Sequence, residues 1–212
     1  MRRRSLIALA LACAAVPDVF AAPSGRAFLE RFAREAGSAK GRFTQLLLDK
    51  SGNPREPESS GEFSFRRPGK FSWIVTAPYR QSVVANGRTL WLYDPDLMQV
   101  TVKRLAGTMS ATPASVLFGS GDLSATFVLE DQPERDGLVW VKATPKTQDP
   151  SFACILIGFS SGGRLVRLEL IDHFSQKTTL AFRELELNAS IPDETFEFAP
   201  PKGVDVLEDN LS

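Results

Sequence analysis

Apolar positions along this chain fall into three regimes. Residues 6–16 are almost continuously apolar and follow Arg2-Arg3-Arg4. Phe28, Leu29, Phe32, Ala33 and Ala36 then recur at three- and four-residue spacing, the period of one helical face, with Ser24 placed as an N-cap and Gly37 as a stop. From Gly41 the period drops to two. The segments "RFTQLLLD", "GEFSFRR", "KFSWIVTA", "SVVAN", "TLWLYD" and "QVTVKRL" follow one another. Turn formers separate them, among them Arg67-Pro68-Gly69, Asn86-Gly87 and Asp94-Pro95-Asp96.

The alternation breaks at "GTMSATPASVLFGSG", where Thr112 and Pro113 suit the start of a short helix and Gly119 its end. It resumes in "ATFVLED", "LVWVKATP", "FACILIGF", "RLVRLELID", "KTTLAFRELEL" and a short "TFEFAPP". The pattern predicts one domain of about eleven antiparallel strands with two helical interruptions. Eight strands close on a space that side chains just fill, and a larger sheet leaves room inside. Alternation points Phe63 and Phe65 to one face of their strand and Phe71, Trp73 and Val75 to one face of the next. Facing inward, they would line a hydrophobic cavity.

Charge and cysteine content change this picture little. The three arginines, the apolar run and Val19-Phe20-Ala21 read as a secretory signal, predicting removal of residues 1–21 and a mature domain over 22–212. Ala10-Leu11-Ala12-Cys13 is a weak match to a lipid-attachment motif, with alanine where leucine is usual. The run of about eleven apolar residues is also too short for a bilayer core that needs about 20. The whole chain has a formal net charge of zero, with no basic footprint for nucleic acid. Past the leader only Cys154 remains, so no intramolecular disulfide is available and the fold rests on its core.

Candidate chemistry is sparse. Residues 158–162, "GFSSG", match the G-x-S-x-G pattern, but the nucleophile elbow needs a helix after the serine. The residues that follow alternate as a strand, so Ser160 is read as part of a hairpin turn. Asp172 and His173 are neighbours whose side chains diverge on a strand, and Asp94 and Asp96 flank a proline in a turn. One histidine and no metal-ligand cluster argue against an enzyme or a metal centre, and no cofactor is expected.

Residues 43–99 carry a more specific signal. "FTQ", Gly61, "RPGKFSW", Pro78 and "NGRTLWLYDPDLMQV", followed by "TPASVLF" and "FEFAPPKGV", together resemble the periplasmic outer-membrane lipoprotein carrier family, LolA. The resemblance implies a mainly β fold, an incomplete antiparallel barrel closed by a helical lid over a hydrophobic cavity for lipoprotein acyl chains. It implies cargo received from an inner-membrane ABC transporter and passed to an outer-membrane acceptor, by a monomer doing no covalent chemistry. Arg67 matches the family's latch, which donates to lid carbonyls at positions matching Ala33, Leu117 and Phe118. Arg66 beside it leaves the register open by one residue. Phe71 matches a transporter-contact position. The cavity is expected to include Leu29, Phe32, Phe63, Phe65, Trp73, Trp91, Val116 and Leu117. Each methylene buried is worth about 0.8 kcal/mol, so a chain of roughly 15 carries about 12 kcal/mol and needs a shield in water. Related curled sheets also serve exported lipid-sensing modules, the alternative reading.

Overall fold

The computed structural model describes residues 24–105, 123–147 and 152–209, and its first described element opens at Ser24. The Ser24 Oγ accepts the amide of Ala27 at 3.2 Å and caps α1 (Gly25–Glu35), satisfying an amide that the first turn leaves without a partner. Phe28, Leu29 and Phe32 form the buried face of this helix, as the spacing predicts. Each buried side chain of this size contributes about 1.5–3 kcal/mol relative to exposure.

Among the described residues twelve strands then form one continuous sheet. They are β1 (Ser38–Leu48), β2 (Ser59–Arg66), β3 (Lys70–Ala77), β4 (Gln81–Asn86), β5 (Thr89–Asp94), β6 (Gln99–Arg104), β7 (Phe127–Arg135), β8 (Leu138–Pro145), β9 (Cys154–Phe159), β10 (Leu165–Ile171), β11 (Lys177–Leu187) and β12 (Asp205–Asp209). The spatial order is β12-β6-β5-β4-β3-β2-β1-β11-β10-β9-β8-β7. Two meanders of hairpins are thus joined at the middle by β1 against β11, with Phe43 opposite Phe182. The sheet is open, with β7 and β12 at its edges.

The strand count agrees with expectation, and the end of the chain differs from it. "TFEFAPP" is not a strand. Asp193–Phe196 is a 3-10 turn that buries Phe196 completely, and the last strand lies later, in β12. That strand runs parallel to β6, unlike the antiparallel pairs elsewhere in the sheet. Its direction follows from the route. After β11 the chain crosses the outer face of the sheet as a strap, so it meets β6 at the end where β6 itself begins, and the Asp205 amide bonds the Met98 carbonyl at 2.9 Å.

Register divides the core into an inner and an outer face. One inner row runs Ala39, Phe65, Phe71, Ala85 and Leu90, and the next runs Gly41, Phe63, Trp73, Val83 and Leu92. On the far side of β1 the same face presents Phe182, Leu168, Ile157 and Val141. α1 packs on this inner face. A Cβ on Gly25 would stand 2.5 Å from the Trp140 carbonyl oxygen, so only glycine lets the helix start this close to β8. Gly61 answers the same demand in β2, where a Cβ would lie 2.0 Å from the Ile74 carbonyl oxygen and 2.9 Å from the Phe43 ring.

Candidate functional site

The inner face of β1–β3 is an aromatic wall. Phe43 stacks on Trp73 with ring centroids 3.8 Å apart, Phe63 lies 5.9 Å from Trp73, and Phe182 meets Phe63 edge-on at 5.3 Å. Phe63, Phe65 and Phe71 are buried and Trp73 is half-buried. Sequence reasoning misses Phe43 and Phe182 as members of this wall. The alternation in "RFTQLLLD" and "KTTLAFRELEL" holds the signal, but only the β1–β11 register shows that both face Phe63.

α1 supplies the opposite side of the site. Phe32 approaches Phe65 at 6.4 Å, Phe28 approaches Phe159 at 5.9 Å, and Leu29 is fully buried between those contacts in the same cluster. The β2–β3 turn brings Arg67 up to the end of α1, where its Nη1 donates to the Ala33 carbonyl oxygen. The guanidinium also sits 5.6 Å from the Phe32 ring centroid and 5.5 Å from that of Phe65, on their faces. Burial lowers the pKa of Arg67 from its ordinary value, yet a guanidinium stays charged at any physiological pH. A charged donor to one of the last carbonyls of a helix, which lack intrahelical partners, is a strong and directional bond.

Arg66 goes the other way. On the outer face it donates to the Ile191 carbonyl at 3.2 Å, pairs with Asp193 and lies over the Phe196 ring at 5.3 Å. Lys70 Nζ reaches the same Asp193 carboxylate at 2.7 Å. Bonds from Lys70 first, then from Arg66, hold the Asp193 carboxyl below its ordinary value. Strand alternation therefore separates the two adjacent arginines, one on the strap and one on α1.

Three expectations are revised or fall elsewhere. Trp91 does not join the inner wall. It lies opposite Val84 and Val102, on the outer face, and packs on Phe198 of the strap at 6.5 Å. Phe71 is 6% exposed and belongs to the inner core, so its ring is not presented at the surface in this conformation. Val116, Leu117 and Phe118 lie outside the described residues.

The residues weighed for catalysis have structural occupations. Ser160 opens the β9–β10 turn, its Oγ accepting the Arg164 amide at 3.2 Å, and strand β10 follows it where an elbow needs a helix. The Asp172 carboxylate accepts the amides of Phe174 and Gln176 at 2.8 Å each, and Asp94 accepts those of Asp96 and Leu97 at 3.0 and 3.1 Å. Among the described residues no group of three or more His, Cys, Asp or Glu could hold a metal ion, and no helix is long and apolar enough to cross a membrane.

A family model, the outer membrane lipoprotein carrier protein LolA, matches residues 34–199. The chain belongs to the LolA family. An outer-membrane lipoprotein carrier protein of Cupriavidus pinatubonensis is 42% identical over 98% of this chain and all of its own length. One of Methylococcus capsulatus is 42% identical over 97% of this chain and 98% of its own. The solved structure of an uncharacterized conserved protein from Thermus thermophilus shares the fold alone, at 11% identity and TM-score 0.53, over 86% of this chain and 98% of that one. The LolA match covers α1 from Arg34, the whole aromatic wall, and both arginines of the β2–β3 turn.

Proposed function

We propose that this LolA-family chain is a periplasmic carrier that shields lipoprotein acyl chains between an inner-membrane ABC transporter and an outer-membrane acceptor, without covalent chemistry. On this reading residues 1–21 are a removed signal and 22–212 form the single carrier domain. The observation that carries it is the aromatic wall of Phe43, Phe63, Phe65, Phe71 and Trp73 with α1 laid on it and fastened by Arg67. An apolar inner surface in an open sheet suits a tail that water rejects. A helix held by a few bonds can leave that surface and return to it.

Arg67 and Ala33, with Leu117 and Phe118, form the proposed latch. Leu29, Phe32, Phe63, Phe65, Trp73, Val116 and Leu117 form the proposed acyl-chain wall. Contact of Phe71 with the transporter belongs to an opened state, because its ring is buried while α1 is seated. Hairpin geometry at Ser160 supports the absence of a serine nucleophile. Identity of about 40% to carriers over nearly the full chain favours cargo transport over lipid sensing.

The test uses an apolar acyl probe with the mature protein. Binding should change tryptophan emission, and Trp73→Glu should weaken it about tenfold or more, since an unpaired carboxylate on an apolar wall costs several kcal/mol. Trp91→Glu, on the outer face, should leave probe affinity within about twofold. Equal effects of the two changes would remove the wall from the function. Failure of the wild type to bind would remove the carrier reading.

A further inference from the structure

We infer that a chamber of about 620 Å³ at the end of the sheet opposite Arg67 seats the polar head of the cargo, the glyceryl ester, thioether cysteine and first peptide groups of a lipidated N-terminus. This rests on the carrier reading above and adds a direction to it, with tails toward α1 and polypeptide out through the other end.

The two ends of the sheet differ in what closes them. At one end α1 lies as a bar fastened at three places. The Arg26 amide donates to Asp131 Oδ1 of β7 at 2.8 Å, Arg31 Nη2 to the Gly162 carbonyl of the β9–β10 turn at 3.3 Å, and Arg67 to the Ala33 carbonyl. At the other end the β1–β2, β3–β4 and β5–β6 turns surround the chamber, with Tyr79 and Leu97 on its rim, 71% and 69% exposed.

The inner face also changes character along the strands. The row nearest α1 is Ala39, Phe65, Phe71, Ala85 and Leu90, and the second holds Phe63, Trp73, Val83 and Leu92. The third is Phe43, Gly61, Val75 and Gln81, and the fourth begins with Gln45 opposite Ser59. Gln45, Ser59, Val75 and Gln81 line the chamber, which therefore continues the aromatic wall outward and is not a separate surface dent. Apolar rows passing into amide and hydroxyl rows match a ligand with the same gradient.

Charge selects the kind of head. Arg55 and Arg80 face the chamber together with Glu56, Asp94 and Asp96, so neither sign dominates. A surface of mixed donors and acceptors suits ester and peptide groups, which offer both carbonyl acceptors and amide donors and carry no net charge. Such groups lose free energy when buried without partners, so a wholly apolar site would reject the head while accepting the tails. The volume falls in the range usual for small-ligand sites.

The experiment uses a synthetic S-(dipalmitoylglyceryl)-cysteinyl tetrapeptide and palmitate as probes. A photocrosslinker is placed by Tyr79→p-benzoylphenylalanine at the chamber rim or by Arg88→p-benzoylphenylalanine in the β4–β5 turn at the α1 end. Mass spectrometry of the adduct should find the glyceryl-cysteine or peptide captured from position 79, at least about fivefold more than from position 88. The double variant Gln45→Leu, Gln81→Leu should lose about tenfold in lipopeptide affinity and no more than about threefold in palmitate affinity, because palmitate brings one small carboxylate and no ester or peptide group to the chamber. Capture from position 79 less than about fivefold above that from position 88, or equal affinity of the double variant for the lipopeptide, would overturn the inference while leaving the carrier reading intact. If neither probe bound the wild-type protein, both would fall.

Discussion

At the residue scale the fold distinguishes two arginines that are adjacent in the chain. Arg67 donates to α1 and Arg66 holds the strap. Replacing Arg67 by leucine removes a charged hydrogen bond worth about 1.5–3 kcal/mol and keeps an apolar side chain beside Phe32 and Phe65. The seated position of α1, which on the proposed carrier reading competes with cargo for the wall, then loses stability. Arg67→Leu should accept lipoprotein and release it poorly, with the balance shifted at least about tenfold toward the loaded form. Arg66→Leu should transfer cargo at the wild-type rate and show only a lower melting temperature. Reconstituted transfer to the outer-membrane acceptor, followed as carrier-bound lipoprotein over time, separates the two. Identical behaviour of the variants would return Arg67 to being a turn residue. Cys154 illustrates the opposite case, a group that fastens nothing. Burial raises the pKa of its thiol, which keeps it protonated and slow to react near neutral pH.

At the element scale the strap from Asn188 to β12 is held by Asp193 as well as by Phe196. The Asp193 carboxylate, exposed to water, is lowered from an ordinary 3.8 by Lys70 and Arg66. A group whose folded pKa is depressed stabilises the fold above its unfolded pKa and loses that contribution as pH falls through the lower folded value. Asp193→Asn should therefore melt at a lower temperature than wild type near pH 6. The gap should narrow below about pH 4 and close once the carboxyl is protonated in both states. Added salt should narrow it as well, because the pair is exposed. A gap independent of pH would mean that the Asp193 charge does not hold the strap.

This strap also shows where sequence reading stops. Period-two alternation locates β1 through β11, because each strand has one face in the core and turn residues at its ends. It does not locate β12, where five residues, "DVLED", pair in parallel with a strand far away in sequence. "TFEFAPP" alternates too, but Pro192 before it and Pro200 and Pro201 at its end interrupt ladder donors, and Phe196 plugs the outer face. Trp91 is misplaced for a related reason. "TLWLYD" is apolar on both faces, since Leu90 and Leu92 face inward while Trp91 and Tyr93 meet Phe198, and alternation alone does not say which set is inside. Phe63, Phe65, Phe71 and Trp73 are legible because the polar residues Glu62, Ser64, Lys70 and Ser72 mark the other side of each strand.

At the scale of the whole molecule, the sheet is held at its middle by the two ends of the chain. β1 pairs on one side with β2, its neighbour in sequence, and on the other with β11, so that Phe43 waits for Phe182. A chain ending at residue 176 keeps nearly all the hairpins and lacks β11, the strand that joins the two meanders, along with β12. Such a truncated protein should show no cooperative thermal transition, whereas the full chain should unfold in one; a cooperative transition in the fragment would mean that the meander of β1–β6 is stable without its partner. The β1–β11 register carries a timing as well as a shape. Contacts between residues so far apart form late and slowly, because the intervening chain must first be gathered. While the polypeptide is still being made, its aromatic wall has no closing strand and its hairpins can be pulled apart one at a time. If the chain is exported as proposed, as an unfolded thread, that delay helps it, since it becomes resistant to threading only after its last strands have crossed.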